Sequence, residues 1–477
     1  VTVDEPIAAR SASRAWLVVA AMALVNLLVA LDFLGTSVLL PDIAHRFQAG
    51  TDTLAWITNA YLLTLAAPLV AAGRIADVLG RKRLAVGGLV GFAVASTGAG
   101  LAPSAELLIL ARGVQGLAAA ALTATGLSIV AGAFPAARRG PAVGAWAAVG
   151  AVGSAAGPVV AGVVAEVWSW RGFFLLNVPL ACVALVAIVL LVEPDRPAAP
   201  GRAPRPAVGW ASIGALTLGI GLLVVALLQA PEWGWSSPGV LGAAIGAGFV
   251  LAWFVRRERA STAPIVDASV FRSRSYAGTA TVAFVANIAF AAATFFVSLY
   301  LQQVRDLSPG ATGAAFLALT IPLMIASPVV GVLTERIGPG PLMSVGLVLL
   351  AASFAVLSRL GLGPTPALVG IGLVLSGLGQ GLAFNVSNVA GMDAIDPARA
   401  GLASGMINGI RQLGSLFGLA ITEALFAVLR DSASGSAAET FVAALAPTML
   451  LVAAVCLLAV IPARWARGAP VRGAPAG

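Results

Sequence analysis

The segment Gly73-Arg74-Ile75-Ala76-Asp77-Val78-Leu79-Gly80-Arg81-Lys82-Arg83 decides the fold, because a mostly apolar run flanks it on each side, 52–72 before and 84–102 after. A helix crosses a bilayer's hydrocarbon core with about 20 apolar residues. Each flank is therefore a candidate span, and the charged segment is a loop at the membrane surface. Gly73 and Gly80 allow a tight turn and close backbone approach. Asp77 can accept hydrogen bonds from helix N-terminal N–H groups or from an arginine across the turn. With Arg81 and Lys82 it would form a charge clip that opens and closes as its surroundings move. The plainer alternative is a generic basic loop.

Applied outward from this loop, the same ruler finds fourteen candidate spans. They are 16–40, 52–72, 84–102, 106–131, 142–163, 173–192, 208–228, 238–255, 277–300, 312–333, 342–359, 366–389, 402–428 and 441–461. Composition agrees: of 477 residues 59% are hydrophobic and only 10% charged, with mean hydropathy +0.98. That excludes a soluble globular enzyme, a disordered chain and a nucleic-acid-binding domain, although the net charge is +8. The basic excess follows the loops instead. With the N-terminus inside, 21 Arg and Lys fall on inner segments and five on outer ones, which predicts both termini on the cytoplasmic side and an even number of spans. The single lysine, Lys82, lies between two arginines, so no Walker A loop is present and ATP hydrolysis by this chain is not expected. His45 is the only histidine, which leaves no metal cluster or acyltransferase pair to read. Neither an enzyme's reactive constellation nor a sizeable extramembrane domain is visible.

The chain also repeats weakly. Gly73 to Gly80 resembles Gly331 to Gly338, Gln115-Gly-Leu-Ala118 resembles Gln380-Gly-Leu-Ala383, and Gly144, Gly153 and Gly157 have counterparts at Gly405, Gly414 and Gly418. The expected architecture is all-α and integral to the membrane, with fourteen transmembrane helices. Two six-helix bundles, at 1–195 and 270–477, are related by a parallel repeat, with two inserted helices in 196–269.

Charges inside the spans carry the mechanism, because each costs at least about 2.5–3.5 kcal/mol to insert and is functional by default. Asp32 lies about 24 Å along the first helix from Trp16 at 1.5 Å per residue, in its outer half. Arg112 lies near the outer end of the fourth helix, at similar depth, and the two are expected to pair. Glu423 is a candidate second carboxylate for a proton or cation, or a structural hydrogen-bonding group. Arg411 is expected to meet substrate, to close the second bundle, or to bond backbone carbonyls of a neighbouring helix. Gln115, Asn287, Asn385 and Asn388 are candidate lining of a substrate cavity, or simply helix-packing polar groups. Gly153, Gly157 and Pro158 form a helix face stripped of side chains, with a proline loosening one turn; packing alone is the plainer reading.

The 73–83 segment resembles the signature loop of the major facilitator superfamily, departing from it at Ile75 and Val78. Arg112-Gly-Val-Gln115-Gly116 resembles that family's fourth-helix motif, and the resemblance implies proton transfer at the arginine. Gly144, Gly153, Gly157-Pro158 and Gly162 resemble the motif of its antiporting members, with Ala161 where glycine is usual. Leu31-Asp32 with Pro41-Asp42-Ile43, Trp170-Arg171-Gly172-Phe173-Phe174 with Asn177-Val178-Pro179, and Arg411-Gln412-Leu413-Gly414 resemble the fourteen-helix drug:proton antiporter branch, often called the EmrB/QacA type. The resemblance implies a secondary transporter and not an enzyme. It would be driven by a proton gradient without cofactor or metal, and would export small amphipathic, cationic or antibiotic-like molecules. Its setting would be the lipid bilayer of the cytoplasmic membrane, and it would work as a monomer. Transport of an endogenous metabolite, amino acid or lipid is the alternative cargo, and a membrane enzyme or receptor the alternative class.

Overall fold

The computed structural model describes residues 5–134, 139–193, 209–261, 268–395 and 400–466. The first six helices are α1 (Glu5–Phe47), α2 (Thr51–Leu79), α3 (Arg81–Gly100), α4 (Ala105–Gly132), α5 (Arg139–Val167) and α6 (Trp170–Leu191). A hairpin follows, α7 (Trp210–Trp233) and α8 (Pro238–Ala260). The last group is α9 (Arg274–Leu299), the short α10 (Pro309–Ala315), α11 (Leu317–Ile337), α12 (Pro339–Leu357), α13 (Pro366–Asp393), α14 (Ala400–Asp431), α15 (Ala437–Leu458) and the short α16 (Val460–Ala463). Among the described residues fourteen helices are 19 residues or longer. Twelve stretches are long and apolar enough to cross a membrane, and α2 and α5, of 29 residues each, complete the fourteen. The protein is a multi-pass, all-helical membrane bundle. Its lipid-facing character is plain on α8, where Ile245 and Phe249 are 72% and 76% exposed on a helix with no aqueous reason to be apolar.

The segment 73–83 is less of a loop than its composition suggests. α2 continues to Leu79 and α3 begins at Arg81, so Gly80 alone makes the turn, at φ 91°. Side-chain-bearing residues rarely adopt that conformation. Gly73 lies within α2 and makes no turn, and the side chains at Gly73 and Asp77 lie outside the described residues. Gly338 makes the same one-residue turn between α11 and α12, at φ 87°.

The two groups of six pack alike. α1 lies against α4, α5 and α6, α2 against α4, and α3 against α4 and α6. Correspondingly α9 lies against α13, α14 and α15, α11 against α13, and α12 against α13 and α15. Glycines set the closest approaches: Gly153 meets the backbone of Leu27 and Gly157 that of Leu31, as Gly414 meets Phe284 and Gly418 meets Ile288. With only a hydrogen at Cα, two helices can close to backbone contact. One sequence correspondence is displaced. Gly116 packs on Tyr61 O and Gly377 on Leu319 O, so the packing counterpart of Gln115 is Ser376, and Gln380 sits one helical turn further on.

The groups meet through α2 on α14, α5 on α10 and α11, and α1 on α9. The α7–α8 hairpin leans through α7 on both α2 and α14 and so covers that seam. Among the described residues, hydrogen bonds join the groups at one end. Ser298 donates to Ser37 O (2.7 Å), Gln302 to Val38 O (2.8 Å), and the Gly310 N–H to the Glu166 carboxylate (3.0 Å). All three lie at the end of the bundle where α1, α5 and α9 finish.

Candidate functional site

Two turns beyond the middle of α1, Asp32 is fully buried, 0% exposed, inside the first group of helices. Arg112 of α4, 1% exposed, donates from Nη1 to Asp32 Oδ2 at 2.6 Å. The same Nη1 donates to Gln115 Oε1 at 2.7 Å. Arg112 and Gln115 are three apart on one helix and so share a face. Gln115 turns its amide nitrogen to Asp32 Oδ1 (2.9 Å) and to Ser96 Oγ of α3 (2.9 Å). Asn177 of α6 donates to the same Asp32 Oδ1 at 2.7 Å. The guanidinium lies 4.3 Å above the Tyr61 ring of α2 and 5.8 Å from that of Phe174.

Five helices therefore converge on one carboxylate. Withdrawing two charges from water costs several kcal/mol each, and only good geometry with further hydrogen bonds offsets it. Here Asp32 accepts three hydrogen bonds and Arg112 adds an aromatic face, worth about 0.5–2 kcal/mol. Gly116 makes the assembly possible, because any Cβ there would overlap Tyr61 O. Arg112 Nε, Tyr61 OH, Asn177 Oδ1 and both side-chain polar atoms of nearby-numbered Asn59 are buried without a hydrogen-bond partner. Around Arg112, Tyr61 and Asn177 the cluster is thus satisfied at its centre and under-satisfied at its edges.

Other residues singled out in the sequence fall elsewhere. Both ends of the Gln115 amide are held in the ion-pair cluster. Glu423, 2% exposed, lies on α14 facing Thr51, Asp52 and Arg430. By the glycine correspondence its place in the first group is taken by Gly162, which packs on Pro309 and Gly310. Arg411 is buried, donates to Asn408 Oδ1 at 2.9 Å and stacks 3.9 Å from the Phe384 ring centroid. Asn287 and Asn385 bond the carbonyls of Ala283 and Gly381 one turn back on their own helices; the side chain of Asn388 lies outside the described residues. Arg81 donates to Ser128 O (3.2 Å), and Lys82 to Val189 O (2.8 Å) and Val192 O (2.6 Å), tying α3 to α4 and to the end of α6. Pro158 and Gly313 touch across the α5–α10 contact. Sequence reasoning missed Ser96, Tyr61 and the site role of Asn177. Each is one moderately polar residue in an apolar run, a signal too common to single out.

A bundle of fourteen long helices with an ion pair sealed inside its first group is the construction of a membrane transporter, not of an enzyme. The sequence matches the description "Major Facilitator Superfamily" over residues 22–419, and the chain belongs to that family. It is 34% identical over 403 residues to the multidrug resistance protein Stp of Mycobacterium tuberculosis, covering 84% of this chain and 74% of that one. It is also 34% identical to the tetracenomycin C resistance and export protein of Streptomyces glaucescens, over 87% of this chain and 76% of that one. The multidrug efflux pump LfrA of Mycolicibacterium smegmatis is 34% identical as well, over 88% and 82%.

Proposed function

We propose that the protein exports small amphipathic, drug- or antibiotic-like molecules across the cytoplasmic membrane in exchange for protons, by alternating access. The observation that carries this reading is the sealed Asp32–Arg112 pair with Gln115 and Asn177 on the same carboxylate. A proton taken up by Asp32 removes the charge that holds three donors. Arg112, Gln115 and Asn177 are then released together, and α1 is free to shift against α4 and α6. Loss of the proton restores the cluster. Coupling of this kind needs a two-state element whose balance the proton biases, and α1 is that element. Glu423 is the second proton site in this reading, because it lies on α14 at the contact with α2 between the two groups.

The rocking units are the bundles 1–195 and 270–477, with 196–269 as an insertion along one seam. The one-residue turns at Gly80 and Gly338, the Arg81 and Lys82 ties and the Gly153–Gly157–Pro158 face keep each bundle rigid while the contacts between bundles change; Gly73 and Asp77 belong to the same gating segment. The 21-to-5 distribution of basic residues supports cytoplasmic termini. The hydrogen-bonded end is then the outer one, and the protein is shut toward the outside. A monomer contains everything this cycle uses.

The test is transport in everted membrane vesicles. Export of a fluorescent substrate should start when an inward-acidic gradient is imposed and stop when it is collapsed. Asp32→Asn should abolish the gradient-driven component while the protein still inserts and folds. Full gradient-driven export by Asp32→Asn would sink the reading.

A further inference from the structure

Asn59 of α2 is 0% exposed, and neither its amide nitrogen nor its amide oxygen has a hydrogen-bond partner. The other asparagines whose side chains are described, Asn26, Asn177, Asn287, Asn385 and Asn408, each make at least one such bond. A local remedy exists. Asn287 and Asn385 donate to the carbonyl four residues back on their own helices, and the Ala55 carbonyl stands in that relation to Asn59. The bond is left unmade, although an unsatisfied amide in an apolar interior is costly.

Register places this amide at the seam between the groups. Asp52 precedes Asn59 by seven residues, so the two share one face of α2, and Thr51 and Asp52 face Glu423 of α14. Ala55, Leu62 and Ala66 continue the same stripe and are also 0% exposed. The other side of α2, through Thr64 and the Tyr61 carbonyl, meets Gly113 and Gly116 of α4. Leu63, one turn beyond Asn59, touches Gly221 of α7. Asn59 therefore points into the α2–α14 contact beneath the α7 cover, about 12 Å along α2 from Thr51. α2 begins and α14 ends near Glu423, so the α14 residues level with Asn59 are Ser415 and Leu416. Leu416 is 0% exposed and has no polar group, and Ser415 Oγ donates to Asn287 O of α9 at 3.4 Å. The repeat supplies the contrast. Gly116 on Tyr61 O and Gly377 on Leu319 O match Tyr61 with Leu319, and so Asn59 with Leu317 of α11. The equivalent place in the second group carries leucine.

We propose that Asn59 is a gating residue of the α2–α14 seam: its amide is unsatisfied while the outer end is shut, and water satisfies it when that end opens. The proposal rests on the alternating-access reading and adds what keeps the shut state from being too deep. An apolar seam alone gains by closing and gains nothing by opening. Asn59 destabilises only the shut state, and so raises the population of the open one.

The test uses the full chain with Cys182→Ala in right-side-out membrane vesicles. Val38→Cys, at the hydrogen-bonded end, is the reporter of opening, labelled from outside by a membrane-impermeant maleimide. Asn59→Leu, which copies the second group, should slow this labelling about fivefold or more, the order that the cost of a buried orphan group implies. The same substitution should raise the melting temperature of the detergent-solubilised protein. Slower labelling with higher stability is the reverse of what damaged packing produces. Labelling as fast as in the parent, or a melting temperature at or below the parent's, overturns the proposal. Transport separates the two readings. Slower labelling and higher stability in Asn59→Leu, without gradient-driven export by the parent, defeat the export reading alone. Export by the parent with labelling unchanged in Asn59→Leu defeats the gating role alone.

Discussion

Arg112 illustrates how far a single residue can be read. Its charge in an apolar run marks it at once, and so does that of Asp32, because neither can be accidental in a membrane helix. Their depth along two antiparallel helices places them side by side. The remaining partners are not legible, since Ser96, Tyr61 and Asn177 become part of the site only through helix crossings that no local pattern encodes. Gln115 shows in the sequence as a polar group in an apolar run, but not which partners it takes, because cavity lining, helix packing and a cluster with Arg112 all call for such a residue. Arg112→Lys should fold yet lose at least tenfold in gradient-driven export. An ammonium is a point charge on a flexible stem and cannot hold Asp32, Gln115 and the Tyr61 face together as a planar guanidinium does. Arg112→Ala leaves Asp32 charged, buried and without its counter-ion. About 3–5 kcal/mol of stability should be lost, read as a fall in melting temperature of the detergent-solubilised protein. Asp32→Asn in the same background should recover part of it, and no recovery would show that the charge is not the cause.

At the scale of elements, the fourteen helices were legible from length and hydropathy, because a bilayer fixes both. Their ends were not. The charged segment after α2 looks like a loop of eleven residues, yet helix continues through all of it except Gly80. Charged residues are at home in helical turns that leave the hydrocarbon, so composition marks the membrane surface and not the helix terminus. The displaced match of Gln380 has a similar origin. A four-residue resemblance in a Gly- and Ala-rich helix survives a slip of one turn, whereas the contact of Gly116 with Tyr61 O does not. Gly80→Ala should destabilise the α2–α3 turn by about 1–3 kcal/mol, the strain of holding a side-chain-bearing residue at that φ. Gly338→Ala should do the same to α11–α12. Gly242→Ala on lipid-facing α8, where an added Cβ meets nothing, should leave the melting temperature unchanged within error.

At the scale of the molecule, the two groups are alike in packing and unlike in chemistry. The first buries the Asp32–Arg112 cluster; the second stacks Arg411 on Phe384 and carries the buried Glu423. The repeat itself was readable from scattered glycines, but this division of labour was not, because it arises where the repeat fails. Cysteines at Val38 and Gln302 should be joined by a short, reducible bifunctional thiol reagent, since Gln302 already reaches the Val38 carbonyl. Export should then stop and return on reduction; unimpeded export by the cross-linked protein would mean this end need not open. The three bonds at that end each join a side chain to a backbone group, so half of every bond survives any substitution. Individually such bonds contribute about 0.5–1.5 kcal/mol net, somewhat more where a carboxylate accepts. Together they amount to a few kcal/mol, while one proton moving down a membrane potential releases about 2.3 kcal/mol per 100 mV. In the proposed cycle the seal at this end is therefore set at the scale of a single proton's passage: firm enough to hold against thermal motion, and weak enough that one turn of the energy source can break it.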